Sequence, residues 1–122
     1  MNHSLSIYVD GGSSGNPGLS ACAFFVLDSQ GREIIREAHL LGVTTNNVAE
    51  YKGVIIALDW VITNSDELEK TFTDIIFYLD SQLIVNQING DFRVKQSHLH
   101  ELYREVLNKV NSTKFSTKST SI

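Results

Sequence analysis

Hydrophobic and polar positions alternate with a period of two over much of the first forty residues, a pattern typical of β-strands. A first strand is predicted where the apolar positions are Leu5, Ile7 and Val9. The segment 21–27 is apolar without interruption and predicts a second strand, and a third follows the turn at 28–31 and runs to about Leu41. The glycine-rich segment 11–18 predicts a turn, because glycines and a proline weaken a strand ladder. These three strands are expected to form an antiparallel meander.

The period then changes to that of a helix, in which apolar residues recur at i, i+3, i+4 and i+7. This pattern is present at Tyr51, Val54, Ile55, Leu58 and Ile62. Asn47 as the N-cap residue, with Glu50 three residues further on, forms a capping-box pattern. The helix is therefore expected to begin there and to end near Asn64.

The remaining pattern alternates helices and strands. A fourth strand is predicted over 74–79, a short helix over 81–88, and a last helix with an apolar stripe over 99–110. The segment 114–120, in a stretch of serine, threonine and lysine, is the candidate for a fifth, edge strand. The order βββαβαα(β) predicts an α/β fold with a mixed sheet of at least four strands, and of five if the last one forms, flanked by helices.

This order brings three carboxylates to one edge of the sheet. A crossover helix separates strands 1 and 4, so these strands can lie parallel, and Asp10 and Asp80 then end neighbouring strands about 5 Å apart. Glu50 lies in the first turn of the helix after strand 3 and can reach the same edge, where ligands bind in open α/β sheets. Three carboxylates so close repel one another unless a cation neutralises them. Oxygen ligands without cysteine or paired histidine favour Mg²⁺ or Mn²⁺ over zinc.

Each of these carboxylates also has a purely structural interpretation. Asp10 followed by Gly11 is ordinary turn chemistry. Glu50 can serve only the capping box and the helix dipole, and Asp80 can cap the helix that starts at Ser81. The metal site is favoured because the topology brings all three positions to one place.

The composition fits a single small domain with an uneven distribution of charge. The chain has 122 residues, of which 42% are hydrophobic, and a formal net charge of −4. Residues 1–80 carry four Lys/Arg against eleven Asp/Glu, whereas residues 81–122 carry six against three. The basic half can face phosphates, or the charges can simply solvate helix faces. The sequence shows no recognisable signal peptide and no run long enough to span a bilayer. Cys22 is interpreted as a small buried hydrophobe. The protein is therefore expected to be cytoplasmic.

Three motifs resemble those of the type 1 ribonucleases H and their reverse-transcriptase-like relatives. YVDGGSSGNPG at 8–18 resembles the signature of the family's first strand. TTNNVAE at 44–50 resembles the loop and helix start that carry the family's glutamate, and LDSQ at 79–82 resembles its strand-4 aspartate segment. Their order and spacing match the family over about residues 4–110.

The resemblance implies a ribonuclease H-like fold and an endonuclease that cleaves the RNA strand of RNA/DNA hybrids. It implies a two-metal site, in which Asp10 bridges two Mg²⁺ or Mn²⁺ ions and Glu50 and Asp80 complete the shell of the second ion. It also assigns contacts with the hybrid to Gly11, Asn16, Asn46, Asn47 and Gln82. Side-chain amides there can read minor-groove edges and 2′-hydroxyls, although the asparagines are also natural cap residues and the glutamine can be merely solvated.

The sequence departs from the family pattern in two places. The family carries a fourth carboxylate on a helix after strand 5, whereas no acidic residue here follows Glu105. The domain is therefore expected to be C-terminally abbreviated, with a lower rate of cleavage and a preference for Mn²⁺. In the family a mobile histidine usually precedes the fourth carboxylate. His98 and His100 do not match its position and are interpreted as surface residues. Many bacterial members also carry a basic helical insertion, for which Arg93 and Lys95 are modest substitutes, so binding is expected to be weak and salt-sensitive.

Other interpretations stay open at this level. The protein can be a non-catalytic binder that keeps the fold, like short relatives that carry a cell-wall-related label. The C-terminus can also be truncated or frame-shifted. Finally, without a covering helix, the edge of strand 5 and one face of the sheet are free to support a homodimer.

Overall fold

The sheet combines an antiparallel meander with two parallel strands added through helical crossovers. The computed structural model describes residues 3–90 and 93–122. In chain order its strands are β1 (Ser4–Ser13), β2 (Gly18–Leu27), β3 (Glu33–Thr44), β4 (Asp74–Leu79) and β5 (Ser116–Ser121). The strands lie in the order β3-β2-β1-β4-β5, with β1 parallel to β4 and β4 parallel to β5. The predicted mixed sheet and the parallel neighbours β1 and β4 are confirmed.

The helices of the described residues follow the predicted order with one addition. They are α1 (Asn46–Thr63), α2 (Ser65–Leu68), α3 (Gln82–Ile88) and α4 (Ser97–Asn111). The single turn α2 was not predicted, because four residues are too few to display a helical period. None of the described helices is both long and apolar enough to cross a bilayer.

The core lies between the helices and one face of the sheet. Alternate residues of three strands bury their side chains in one core under the helices, among them Ile7, Phe24 and Phe77. Burying one such side chain contributes about 1.5–3 kcal/mol to stability, so these strand positions fix which face meets the helices. Cys22 is buried in the same layer, as its position in an apolar run predicted.

The opposite face of the sheet, here called the open face, is not covered by any described helix. The Tyr8 ring stacks between Phe25 and Tyr78, with centroid distances of 4.8 and 4.5 Å, and the Arg36 guanidinium lies 4.7 Å from the centroid of Phe25. Leu40, on β3, is 92% exposed. Pairing of two copies through this face or through the β5 edge stays a prediction.

The predicted turn at 11–18 is wrong in its first half. β1 continues through Gly11 and Gly12 to Ser13, which pair with residues 20–22 of β2. Glycine keeps both backbone hydrogen-bonding groups, so the ladder persists. The missing side chain at Gly11 is also required, because a Cβ there would lie 2.5 Å from the carbonyl carbon and oxygen of Ala49 in α1.

The boundaries of α1 and β3 also differ from the prediction. α1 begins earlier, because Thr45 and not Asn47 is the N-cap residue, and its hydroxyl accepts a hydrogen bond from the Val48 N–H at 3.3 Å. The predicted capping box is therefore absent. β3 runs beyond Leu41 to Thr44, since Gly42, with φ of 75°, accommodates an irregularity in the pairing with β2 and the ladder then resumes.

Candidate metal and nucleic-acid site

Asp10 and Asp80 lie side by side where β1 and β4 meet the same edge. Val9 pairs with Leu79 in the parallel register, so the next residue of each segment is one of the two aspartates. Both side chains are exposed, and both line a groove of about 360 Å³ that continues onto the open face. The topology therefore brings these two carboxylates together as the sequence predicted.

The structural interpretations of the two aspartates are both wrong. Asp10 is not a turn residue, because it lies inside β1 and pairs with Ala23 of β2. Asp80 does not cap α3, because the Ser81 hydroxyl accepts the hydrogen bond from the Ile84 N–H at 3.3 Å. Neither carboxylate is thus needed by the secondary structure around it.

Glu50 is brought to the same edge by the close approach of α1 to β1. A Cβ on Gly11 would lie 2.7 Å from the Glu50 backbone nitrogen, so the helix and the strand are nearly in contact at this point. Within the described residues, the Glu50 Oε2 atom is buried and has no hydrogen-bond partner. Since the helix N-cap is Thr45, the capping-box role for this glutamate is also wrong.

The pKa of Glu50 is raised from 4.5 to about 7. Burial of the carboxyl group is the main cause, and the negative charges of Asp80 and Asp10 raise the pKa further, whereas a hydrogen bond from the Ser81 backbone lowers it. The three carboxylates therefore interact electrostatically, which is what a shared cation site requires.

The three carboxylates do not form a preassembled metal cluster. Across residues 3–90 and 93–122, no three His, Cys, Asp or Glu side chains lie close enough together to hold an ion. The donor set nevertheless fits a hard cation, because Mg²⁺ and Mn²⁺ accept carboxylate oxygens and the buried oxygen of Glu50 lacks any other partner.

The raised pKa predicts that, without divalent cations, the protein loses stability as the pH rises from about 5 to about 7. Between these values the folded state keeps a proton on Glu50 that the unfolded chain has released, so the stabilising contribution is complete below pH 4.5 and absent above pH 7. We expect a loss of about 1–2 kcal/mol after allowance for solvent screening. Urea unfolding at pH 5 and pH 8 measures it, and Glu50→Gln should remove it; an unchanged pH dependence in this variant would contradict the assignment.

Two of the predicted substrate residues are joined at the turn after β1. Asn46 Oδ1 accepts hydrogen bonds from the Ser13 N–H at 2.8 Å and the Ser13 hydroxyl at 3.0 Å. Asn16 Oδ1 accepts one from the Asn46 N–H at 3.1 Å, which satisfies the first free N–H of α1. These contacts, here called the asparagine clip, lie at the exposed surface beside the carboxylates.

The other two predicted amides lie elsewhere along the same surface. Gln82 is exposed on α3 and donates a hydrogen bond to Asn86 Oδ1 at 3.0 Å. Asn47 is half-buried and lines a second groove, of about 490 Å³, together with Arg93 and Lys95. We call this second groove the cationic groove.

Sequence reasoning missed two polar residues of this region. Gln87 lines the cationic groove, is 5% exposed, and accepts a hydrogen bond from the buried Tyr51 hydroxyl at 2.7 Å. Ser13 holds Asn46 in the asparagine clip. A glutamine on the apolar face of α3 was an available signal for the first, but nothing in the local sequence distinguished Ser13 from the other residues of its glycine-rich segment.

The strand order, the crossover helix and the acidic residues at the shared edge define a ribonuclease H-like fold. The chain superposes on LC11-RNase H1, solved in complex with an RNA/DNA hybrid, with a TM-score of 0.89 and 30% identity over 97% of this chain and 84% of that one. Residues 8–120 match the family described as Reverse transcriptase-like. The chain belongs to this family, and the resemblance drawn from the three motifs is confirmed.

Curated relatives show the same similarity over part of their length. Bifunctional protein Rv2228c of Mycobacterium tuberculosis is 37% identical over 98 residues, which cover 80% of this chain and 25% of that protein. Ribonuclease HI of Halobacterium salinarum is 33% identical over 102 residues, which cover 78% of this chain and 48% of that protein. The chain thus spans between a quarter and a half of the length of these relatives.

Proposed function

We propose that the protein is a metal-dependent endonuclease of the cytoplasm that cleaves the RNA strand of RNA/DNA hybrids. The observation that carries this proposal is the buried, unpartnered Oε2 of Glu50 beside the negative charges of Asp10 and Asp80. A buried carboxyl group beside two negative charges is stabilised either by a proton or by a bound cation. The substrate class is supported by the similar LC11-RNase H1, whose structure contains an RNA/DNA hybrid.

Asp10, Glu50 and Asp80 are the proposed ligands of up to two divalent ions, Mg²⁺ or Mn²⁺. When bound, the metal supplies positive charge that polarises the scissile phosphate. In the free protein the pKa of Glu50 is raised to about 7, so this carboxyl group holds a proton below that pH. Glu50 must release this proton to become a ligand, so the affinity for the cation is expected to rise with pH across that range.

The polar residues around the carboxylates are proposed to contact the hybrid. Asn16 is exposed in the turn after β1, Asn46 is exposed at the first residue of α1, and Gln82 is exposed at the start of α3. Asn47 lines the cationic groove, and Gly11 would offer only its backbone. Amide groups suit this task, because RNA is distinguished from DNA by hydrogen bonds to 2′-hydroxyls and minor-groove edges.

The cationic groove is proposed to bind phosphates of the hybrid. Arg93 and Lys95 are exposed beside the amides of Asn47 and Gln96, and Leu99 contributes to the floor. Basic side chains attract the phosphates of a nucleic-acid backbone, and neighbouring amides can form hydrogen bonds with them. The groove has this basic character although the net charge of the whole chain is negative.

Replacing Arg93 and Lys95 together with alanine is expected to weaken hybrid binding about tenfold at low salt. The slope of log affinity against log salt concentration should fall by about two, because two phosphate contacts are lost. Fluorescence anisotropy with a labelled hybrid measures both quantities. The matched control replaces Arg32 and Lys70, whose ion pairs lie at the other end of the sheet; equal effects in both double variants would contradict a specific groove.

A hybrid that carries a different fluorophore on each strand tests the proposed function. We expect products from the RNA strand alone, in Mg²⁺ or in Mn²⁺, and no cleavage of RNA or DNA duplexes of the same sequence. Cleavage of the DNA strand would overturn the proposal. Hybrid binding without cleavage in either metal would favour the alternative, a non-catalytic binder with this fold.

A further inference from the structure

The asparagine clip fixes the direction of an amide that would otherwise be free to rotate. The Ser13 backbone N–H lies 2.8 Å from the inward side-chain atom of Asn46. A backbone N–H can only donate a hydrogen bond, so the atom that faces it must be the carbonyl oxygen and not the amide nitrogen. The NH₂ group of Asn46 is therefore turned away from Ser13.

The same reasoning applies to the neighbouring asparagine. The Asn46 backbone N–H donates to the side chain of Asn16 at 3.1 Å, so this inward atom is also an oxygen. Both asparagines are exposed, and within the described part of the chain neither NH₂ group donates a hydrogen bond. Two fixed donors thus lie next to each other beside the carboxylates.

Ser13 contributes more to this arrangement than one hydrogen bond. Its hydroxyl lies 3.0 Å from the same oxygen of Asn46 and also donates to the Gly15 carbonyl oxygen. Rotation of the Asn46 amide by half a turn would place an NH₂ group against the Ser13 N–H, two donors with no acceptor between them. The rotation would lose the hydrogen bond at 2.8 Å and set two donors against each other, so Ser13 opposes it.

We propose that Ser13 is a positioning residue that holds the Asn46 amide with its NH₂ group outward, so that this residue selects hydrogen-bond acceptors on the bound hybrid. The inference rests on the proposed function and deepens it. The minor groove offers purine N3 and pyrimidine O2 acceptors at every base pair, and ribose adds its 2′-oxygen. A fixed donor therefore binds base edges without regard to sequence, whereas an outward carbonyl could accept only from a 2′-hydroxyl or a guanine NH₂ group.

The first readout needs no substrate, and it is hydrogen exchange of the Ser13 N–H in the free protein. We expect slow exchange in the wild type and in Asn46→Asp, which keeps an inward oxygen. Exchange should be at least about tenfold faster in Asn46→Ala, which removes the acceptor. Fast exchange in the wild type, or equal exchange in all three proteins, would overturn the role of Ser13 whether or not the protein binds hybrids.

The second readout is the affinity of the same proteins for a labelled hybrid. Asn46→Asp replaces the outward donor with an oxygen and should weaken binding at least about tenfold with an unchanged unfolding midpoint. Ser14→Asp adds the same charge on the same turn and keeps the donor, so its affinity should stay within about threefold of the wild type. Equal affinities of the two aspartate variants would overturn the donor role.

Replacing the serine itself separates positioning from a merely structural role. Ser13→Ala should raise the KM for the hybrid about threefold with an unchanged kcat, because the hydroxyl contacts with Asn46 and with the Gly15 carbonyl oxygen are lost while the backbone N–H contact with Asn46 remains, and Ser13→Thr should restore it. A fall in kcat that threonine does not rescue would overturn the proposal. Absence of hybrid binding by the wild type would overturn the proposed function and with it the substrate role of Asn46, while the exchange data would still report on the Ser13 contact separately.

Discussion

Replacing Asp10 with asparagine is expected to lower the rate of hybrid cleavage by about a thousandfold or more while the protein stays folded. The side chain is exposed and Asp10 is not a turn residue, so the fold does not depend on its charge. Loss of this charge removes a proposed metal ligand, and it also removes one of the two charges that raise the pKa of Glu50. Single-turnover cleavage with saturating protein measures the effect.

Asp66→Asn is the matched control for this experiment. Asp66 is an exposed aspartate of α2 and lies outside the carboxylate edge, so the same change of charge should leave the cleavage rate within about twofold of the wild type. An Asp10→Asn variant that is folded and cleaves within tenfold of this control would contradict the role of Asp10.

Replacing Gly11 with alanine is expected to destabilise the protein by about 2–4 kcal/mol and to reduce cleavage in parallel. The new Cβ would lie 2.5 Å from the Ala49 carbonyl group and 2.7 Å from the Glu50 nitrogen, and both neighbours are backbone atoms. The start of α1 must therefore move away from β1, and it carries Glu50 with it.

The adjacent glycine provides the control for this variant. A Cβ on Gly12 would have Asn46 Oδ1 as its nearest neighbour, at 3.9 Å, which is an ordinary contact. Gly12→Ala should therefore change the free energy of unfolding, measured with urea, by less than about 1 kcal/mol. Equal stabilities of the two alanine variants would show that α1 and β1 are not in close contact at Gly11.

The fold was predictable wherever a long hydrophobic pattern decides it. The period of two in β1 and the period of 3.6 in α1 each bury one face, so their type follows from the sequence. The pattern fails where tertiary contacts override local preference. Gly11 looks like a turn residue, but it stays in the strand because α1 packs against it, and Thr45 rather than Asn47 caps that helix.

The candidate site was predictable to the extent that topology controls it. Parallel pairing of β1 and β4 is sufficient to bring Asp10 beside Asp80, whatever the side-chain details. The asparagine clip was not predictable, because it joins Ser13 to a residue 33 positions away, and the hydrogen bond of Gln87 with Tyr51 spans 36 positions. Side-chain hydrogen bonds between distant segments leave no periodic trace in a sequence.

Titration calorimetry with Mn²⁺ tests most directly the central claim that Asp10, Glu50 and Asp80 form one divalent-cation site. We predict saturable binding to the wild type at pH 8, weakened at least about tenfold by Asp10→Asn, Glu50→Gln or Asp80→Asn and unchanged by Asp66→Asn. The wild-type affinity should also be lower at pH 6, where Glu50 holds its proton. Binding that is equally strong in the wild type and in the three site variants would contradict the claim, because the ion would then be held elsewhere on this acidic protein.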